Sequence, residues 1–319
     1  MSSPALTTLL VSYNTQALLP RCLDDLDAAL APIGNARTII VDNASADASV
    51  ALLQSQYPQV ELIRSATNVG FGRANNLALP RVDTPYLLLL NTDAFVPPDA
   101  LSKTLAYMAS HPRCGILGVR LIGRDGVLQP SCRYFPTPFN SFVARAGLQR
   151  WLRGVRLIDD MDWPHDAVRE CDWVPGCFYL IRREVIAQVG LFDPRFFLYF
   201  EEVDHCFAAK RAGWEVVYHP DVSVVHLGGE SAKSEGPVTR GAQQLESLQV
   251  ESALLYFRKN HGLGGLLGYV LLDILADGIL WLRALLKRQP QPTFGATCGR
   301  IAKTCRLLAR TRFGTRPTR

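Results

Sequence analysis

Short β-type runs alternate with amphipathic stretches through the first third of the chain. Residues 7–11, 37–41, 60–63 and 86–90 read as strands, and 17–30, 46–56 and 72–79 between them carry apolar residues at helical spacing. Strands of this length separated by helices predict βαβ units, hence an α/β fold with a mostly parallel central sheet flanked by helices. A further helix is expected over 98–110. Residues 137–170 mix aromatic, basic and proline residues without a period, which predicts a mobile loop. Residues 172–181 read as a strand interrupted at Pro175-Gly176, 201–213 as a helix, 215–218 and 222–226 as strands, and 240–260 as a helix closing the body. There is no internal repeat.

Polar residues punctuate the strand ends: Tyr13-Asn14, Asp42-Asn43, Asn68, and Asn91-Thr92-Asp93 after the run Tyr86-Leu87-Leu88-Leu89-Leu90. Open α/β sheets bind ligands at the carboxyl edge of their strands, so four such clusters predict one crevice. Asp93 would supply the oxygen that a hard divalent cation on a diphosphate requires, or it caps a helix or makes an Asx-turn. Asp42 would bond a nucleobase or ribose, or cap the helix that follows. Asn68-Val69-Gly70-Phe71-Gly72-Arg73-Ala74-Asn75-Asn76 resembles a phosphate loop at a helix N-terminus. Gly70 and Gly72, with Asp93 21 residues beyond, partly match a dinucleotide fingerprint. Asn75 stands where its third glycine belongs and the preceding strand ends too early, which argues against an NAD-dependent oxidoreductase.

Glu201, Glu202 and Asp204 crowd a predicted helix start. They compensate the helix dipole, or one of them is a base that takes a hydroxyl proton. Glu201 and Asp204 share a face and Glu202 points elsewhere. His226, at a strand end, would be a metal ligand if it faces a carboxylate, and otherwise structural. Trp163, Trp173 and Trp214 suit a core or the wall of an acceptor site, because no basic residues interleave with them.

The chain has 319 residues, 48% of them hydrophobic, and a net charge of +5. Residues 287–319 alone carry +9, leaving the remainder at −4, which excludes a globally basic nucleic-acid binder. Eight cysteines without a C-x-x-C pair read as reduced cytosolic thiols. The start, Met1-Ser2-Ser3-Pro4-Ala5, predicts no signal peptide. Residues 263–286 are long and apolar enough to cross a bilayer, but Asp273 and Asp277 sit near their centre. Spanning from the cytosol would also export the basic tail, against the positive-inside rule. An in-plane amphipathic helix with a polybasic patch, peripheral on the inner face of the membrane, satisfies both constraints; an ordinary packing helix is the alternative.

These segments, in this order over residues 7–260, resemble the family 2 glycosyltransferases of the GT-A fold, in particular their rhamnosyltransferase-like branch. Val11-Ser12-Tyr13-Asn14, Val41-Asp42-Asn43-Ala44-Ser45, 68–76, Leu90-Asn91-Thr92-Asp93, 176–181, Phe192-Asp193, 197–204 and His226 carry the resemblance. It implies a GT-A-like, Rossmann-related domain over 1–262, with a nucleotide-sugar half (1–110) and an acceptor half (111–262), and a C-terminal helical extension over 263–319. It implies inverting transfer of L-rhamnose from dTDP-L-rhamnose to a saccharide or lipid-linked glycan in cell-surface polysaccharide synthesis, with Mg2+ or Mn2+ as cofactor. Tyr13, Asn14, Asp42, Asn43, Asn68, Gly70, Gly72, Arg73, Asn75, Asn91, Thr92 and Asp93 would bind the nucleotide sugar, and Trp173, Gly176 and Cys177 the acceptor. Asp93 and His226 would hold the metal, with Asn91 replacing the first Asp of the family's D-x-D motif. Glu202 falls where the family has its catalytic Asp, and Glu201 and Asp204 stay candidates for the base. A non-catalytic sugar-nucleotide-binding scaffold is the rival reading, kept open by Asn91 and Glu202.

Overall fold

The computed structural model describes residues 5–228 and 238–319; residues 1–4, on which the expected absence of a signal peptide bears, lie outside them. Strands β1 (Leu6–Ser12), β2 (Ala36–Asp42), β3 (Glu61–Arg64) and β4 (Tyr86–Asn91) pair in parallel in the order β3-β2-β1-β4. Helices α1 (Leu19–Leu30), α2 (Ser49–Gln56) and α3 (Phe71–Ala78) lie between them in sequence. Alternate residues of β4 enter opposite apolar layers, Leu87 and Leu89 one, Leu88 and Leu90 the other. A strand buried on both faces needs no polar alternation, hence its unbroken leucines.

Past β4 antiparallel strands enter a sheet whose longer strands otherwise run mostly parallel, as expected. The two-residue β5 (Ala94–Phe95) is followed by α4 (Ala100–Ser110), β6 (Cys114–Ile122), β7 (Leu128–Gln129), β8 (Arg169–Cys171) and β9 (Phe178–Arg182). β9 runs antiparallel between β4 and β6, and β10 (Glu215–His226) runs parallel to β6. β6 was not predicted: Gly115 and Gly118 dilute its β signal. Both are required by packing, since a Cβ at Gly115 would strike Val185 and Trp214, and one at Gly118 would strike Val174. The two strands expected over 215–226 form one, its register broken between His219 and Ser223 where Pro220 has no N–H to give.

The segment expected as a mobile loop contains α5 (Pro138–Arg145), closed by a reciprocal capping box in which Thr137 and Asn140 bond each other's backbone. Asn140 stands where Glu or Gln usually marks that motif. After α6 (Arg183–Val189) and α7 (Glu201–Arg211), the helix expected over 240–260 extends into α8 (Val238–Leu286), broken at Gly262 with φ +69°, and α9 (Phe294–Arg310) packs back against it.

The C-terminal helices pack on the body. Leu266 and Leu307 belong to the main core, and Thr318 bonds both carboxylate oxygens of Glu251, at 2.6 and 2.7 Å. Asp273 and Asp277 face inward, paired with Arg145 of α5 and Arg300 of α9. The other face of α8 shows solvent a leucine stripe at four-residue spacing, Leu263, Leu267, Leu271 (67% exposed) and Leu275, continued by Leu282 and Leu286.

Candidate active site

The carboxyl edge of β1 to β4 opens into a cavity of about 310 Å³. Tyr13, Asn43, Asn68, Asn91, Thr92 and Asp93 line it. Asn43 and Asn68 also build the loop behind it. Asn43 Nδ2 donates to Asn68 Oδ1 at 3.0 Å, while the Val69 and Gly70 amides donate to Asn43 Oδ1 and Asn68 Oδ1. Gly70, at φ +88°, lies so close to Phe197 that any Cβ would collide with its carbonyl oxygen. The Phe71 amide donates to that same oxygen at 2.8 Å, which ties the loop to the segment before α7.

That segment is strained. Tyr199 and Phe200, at φ +71° and +69°, are consecutive non-glycine residues in the left-handed region. The Phe197 bond, a bond from Ser252 Oγ to Leu198 O at 2.8 Å and a ring contact between Phe200 and Tyr256 hold them there. The strained turn swings the start of α7 into the cavity, bringing Glu201 and Glu202 to its wall beside Gly176 and Cys177.

The three acids of α7 have different surroundings. Asp204 faces away from the cavity, taking bonds from Lys259 Nζ at 2.6 Å and Asn260 Nδ2 at 2.8 Å. Glu201 and Glu202 each have a buried, unpartnered Oε2, and at Glu201 burial together with the Glu202 charge raises the pKa well above the carboxylate range. Burial also raises the Glu202 pKa, but its own backbone amide, the Arg133 charge and the Gly176 and Val203 amides oppose the shift. Two adjacent carboxyls of this kind favour one proton between them. Burial bears harder on Glu201, whose pKa is raised well above the carboxylate range, than on Glu202, whose rise is opposed by more neighbours.

Opposite them, β5 pairs with the end of β10, His226 against Ala94, and so sets His226 beside Asp93. His226 Nε2 lies 3.6 Å from Asp93 Oδ1. Burial depresses the imidazole pKa while the Asp93 charge pulls it up, for a net lowering that favours the neutral ring. Two metal–ligand bonds of about 2.1 Å each span such a gap. Among the described residues no group of three or more His, Cys, Asp or Glu suits a metal ion. The pair therefore fits a cation that takes its remaining ligands from a diphosphate and water, as Mg2+ characteristically does.

The other predicted residues do not line this cavity. Asn14 Oδ1 accepts the Ala46 amide, and Arg73 donates to the Pro194 and Arg319 carbonyls. Gly72 packs against Phe192 and Glu201, and Asn75 Nδ2 donates to Phe71 O at 2.9 Å. Asp42 accepts the Ser45 amide through Oδ2 while its buried Oδ1 has no partner. Trp173 lines a second cavity of about 420 Å³ with Arg133, Phe142 and Tyr269. Glu202 and Tyr199 belong to both cavities. Phe197, Leu198 and Tyr199 were not named as site residues: aromatic and apolar residues before a helix look like core, and only the positive φ of Tyr199 and Phe200 reveals a built turn. Gln129, which bonds the His226 ring, was missed for want of any motif.

Residues 7–159 match the family described as Glycosyl transferase family 2. The chain is 28% identical over 246 residues to N-acetylglucosaminyl-diphospho-decaprenol L-rhamnosyltransferase of Mycobacterium tuberculosis, covering 69% of this chain and 75% of that one. It is 25% identical over 238 residues to the rhamnosyltransferase WbbL of Escherichia coli, covering 71% and 84% respectively. Among solved structures, a mannosyltransferase of Pyrobaculum calidifontis in complex with GDP-Man and Mn2+ matches at a TM-score of 0.55 and 17% identity, over 98% of this chain and 83% of that one.

Proposed function

We propose that this family 2 glycosyltransferase, similar in sequence to rhamnosyltransferases, moves L-rhamnose from dTDP-L-rhamnose to a saccharide or lipid-linked glycan in cell-surface polysaccharide synthesis. The observation that carries the reading is the convergence of Asp93, His226 and Glu202 on one cavity at the carboxyl edge of the sheet. An L-rhamnosyltransferase and a second rhamnosyltransferase among its relatives support the choice of sugar.

Tyr13 and Asn43 would line the nucleotide end of the cavity, and the unpartnered Oδ1 of Asp42, next to Asn43 in the chain, would be an acceptor for the nucleoside. Asp93 and His226 would hold a divalent cation, which when bound supplies positive charge to the departing diphosphate. Glu202 takes the proton of the acceptor hydroxyl as that oxygen bonds to the anomeric carbon from the face opposite the leaving group. The bond from that carbon to the diphosphate breaks, and its electron pair leaves with the nucleotide. One base suffices for this inversion; a retaining hydrolase sets two carboxyls about 5 Å apart across the scissile bond. The second cavity is the acceptor's approach, since Glu202 stands on the wall common to both.

Ligand that binds only the folded chain raises its melting temperature. With Mg2+ or Mn2+ present, dTDP-L-rhamnose and dTDP should raise it by several degrees, more than GDP- or UDP-sugars do. Equal or absent shifts across the panel would remove the donor assignment.

The leucine stripe of α8, with exposed Lys287, Arg288, Arg306 and Arg310 beyond it, suits an anionic membrane surface on the cytosolic side. α8 is long and apolar enough to cross a membrane by length and composition, but its inward Asp273 and Asp277 favour lying in the plane. Deleting 263–319 would take Leu266 and Leu307 from the core, so substitution is the cleaner test. Leu267→Ser, Leu271→Ser and Leu275→Ser together should lower pelleting with anionic vesicles about tenfold or more without lowering the melting temperature. Undiminished pelleting would remove the membrane role.

A further inference from the structure

We propose that Gln129 is a positioning residue for the cation site: it clamps His226 at two points, fixes the imidazole with its hydrogen on Nδ1, and turns the bare Nε2 toward Asp93. The inference rests on the reading of Asp93 and His226 as cation ligands.

Gln129 ends β7 and pairs with Leu121 of β6, the residue that Val224 of β10, two positions before His226, pairs with from the other edge. Buried Ser131 holds the strand there, its hydroxyl donating to Gln129 O at 2.8 Å and accepting the Leu121 amide at 3.0 Å. From this anchor the Gln129 amide meets His226 twice: Nε2 donates to the His226 carbonyl at 2.9 Å, and Oε1 lies 2.9 Å from ring Nδ1.

The two contacts determine each other's direction. A backbone carbonyl can only accept, so the amide nitrogen must lie on that side and its oxygen on the ring side. Flipping the amide would set oxygen against oxygen and lose the bond. An amide oxygen also only accepts, so Nδ1 must carry the hydrogen. In the neutral ring Nε2 is then a lone pair, and it faces Asp93 Oδ1 at 3.6 Å. Two acceptors pointed at one another are what a cation takes up. Without Gln129 the ring would be free to carry its hydrogen on Nε2 and donate it to Asp93, occupying both groups at once.

Residues that hydrogen-bond the far nitrogen of a metal-bound histidine are typically worth tenfold to a hundredfold in metal affinity. Mn2+ affinity in the presence of dTDP, read from the free-ion EPR signal, should fall about tenfold to a hundredfold in Gln129→Leu. The same change in a His226→Ala background should add no further loss. If His226→Ala weakens Mn2+ binding while Gln129→Leu, at wild-type melting temperature, does not, the positioning role is overturned and the cation reading survives. If neither weakens it, both fall. A measurement without any variant guards against misfolding: long-range ¹H–¹⁵N spectra of the intact metal-free chain should show His226 protonated at Nδ1 and bare at Nε2. The reverse tautomer would overturn the proposal.

Discussion

Glu202→Gln should lower sugar transfer by about 10³-fold, the middle of the range that a positioned base contributes, while leaving dTDP-L-rhamnose affinity within about twofold. The substitution keeps the volume of the side chain and removes its ability to accept a proton. Glu201→Gln is the matched control: burial and the Glu202 charge push Glu201 toward its neutral form, so an amide there should cost little of the rate. Asp204→Asn should act on stability instead, because Asp204 takes bonds from Lys259 and Asn260 and lines neither cavity. The three variants thus separate three acids that sequence leaves as candidates for the base. The pH profile adds an independent check. A base works only when ionised, so activity must fall as pH drops through the Glu202 pKa. Burial raises that pKa, which places the acid limb above the ordinary glutamate value of about 4.3. An acid limb persisting unchanged in Glu202→Gln would assign it to another group.

Much of the donor side was legible because each signal was local. The runs before Asp42 and Asp93 are buried strands, and a polar residue directly after such a strand is confined to the sheet's edge. Tyr13, Asn43, Asn68 and Asp93 therefore meet in one cavity though nearly 80 residues separate the first from the last. Arg73 and Asn75 show where that logic stops. They lie inside the motif that drew attention to them, yet α3 turns them toward Pro194, Arg319 and Phe71. A motif places a backbone; the helical period decides which side chains face the cavity. The acceptor side was less legible because its determinants are tertiary. β6 carries two glycines among its apolar residues, α5 uses an asparagine in its capping box, and the left-handed pair Tyr199-Phe200 is invisible without coordinates. Asp273 and Asp277 looked like an obstacle to burial in lipid, and their arginine partners stand 132 residues before and 23 after Asp277.

Those partners carry the other large effect. Arg300→Met should destabilise the chain by about 3–5 kcal/mol, measured by denaturant unfolding, because it strips a buried carboxylate pair of its main counter-charge. Arg300 bonds Asp277 through Nε at 2.7 Å and through a second nitrogen at 2.5 Å, and Asp273 at 2.9 Å. Both carboxylates are only 6–7% exposed, so water does little to replace it. Arg145 remains, but one guanidinium cannot neutralise two buried acids. A total stability of about 5–15 kcal/mol leaves little margin for such a loss. The effect should come from the uncompensated charge more than from lost packing. Asp273→Leu and Asp277→Leu added to Arg300→Met should therefore recover much of the stability, because replacing a buried ion cluster with apolar residues is often nearly neutral. A single Arg300→Met with unchanged stability would mean that the two acids are solvated or protonated in the folded chain. The consequence also reaches the site. Arg145, Asp273 and Arg300 line the second cavity, so the cluster that joins α5, α8 and α9 also shapes the wall along which an acceptor would approach Glu202. In the triple variant, stability should return ahead of transfer activity, since the apolar wall would be folded but would lack the charged groups that face the acceptor.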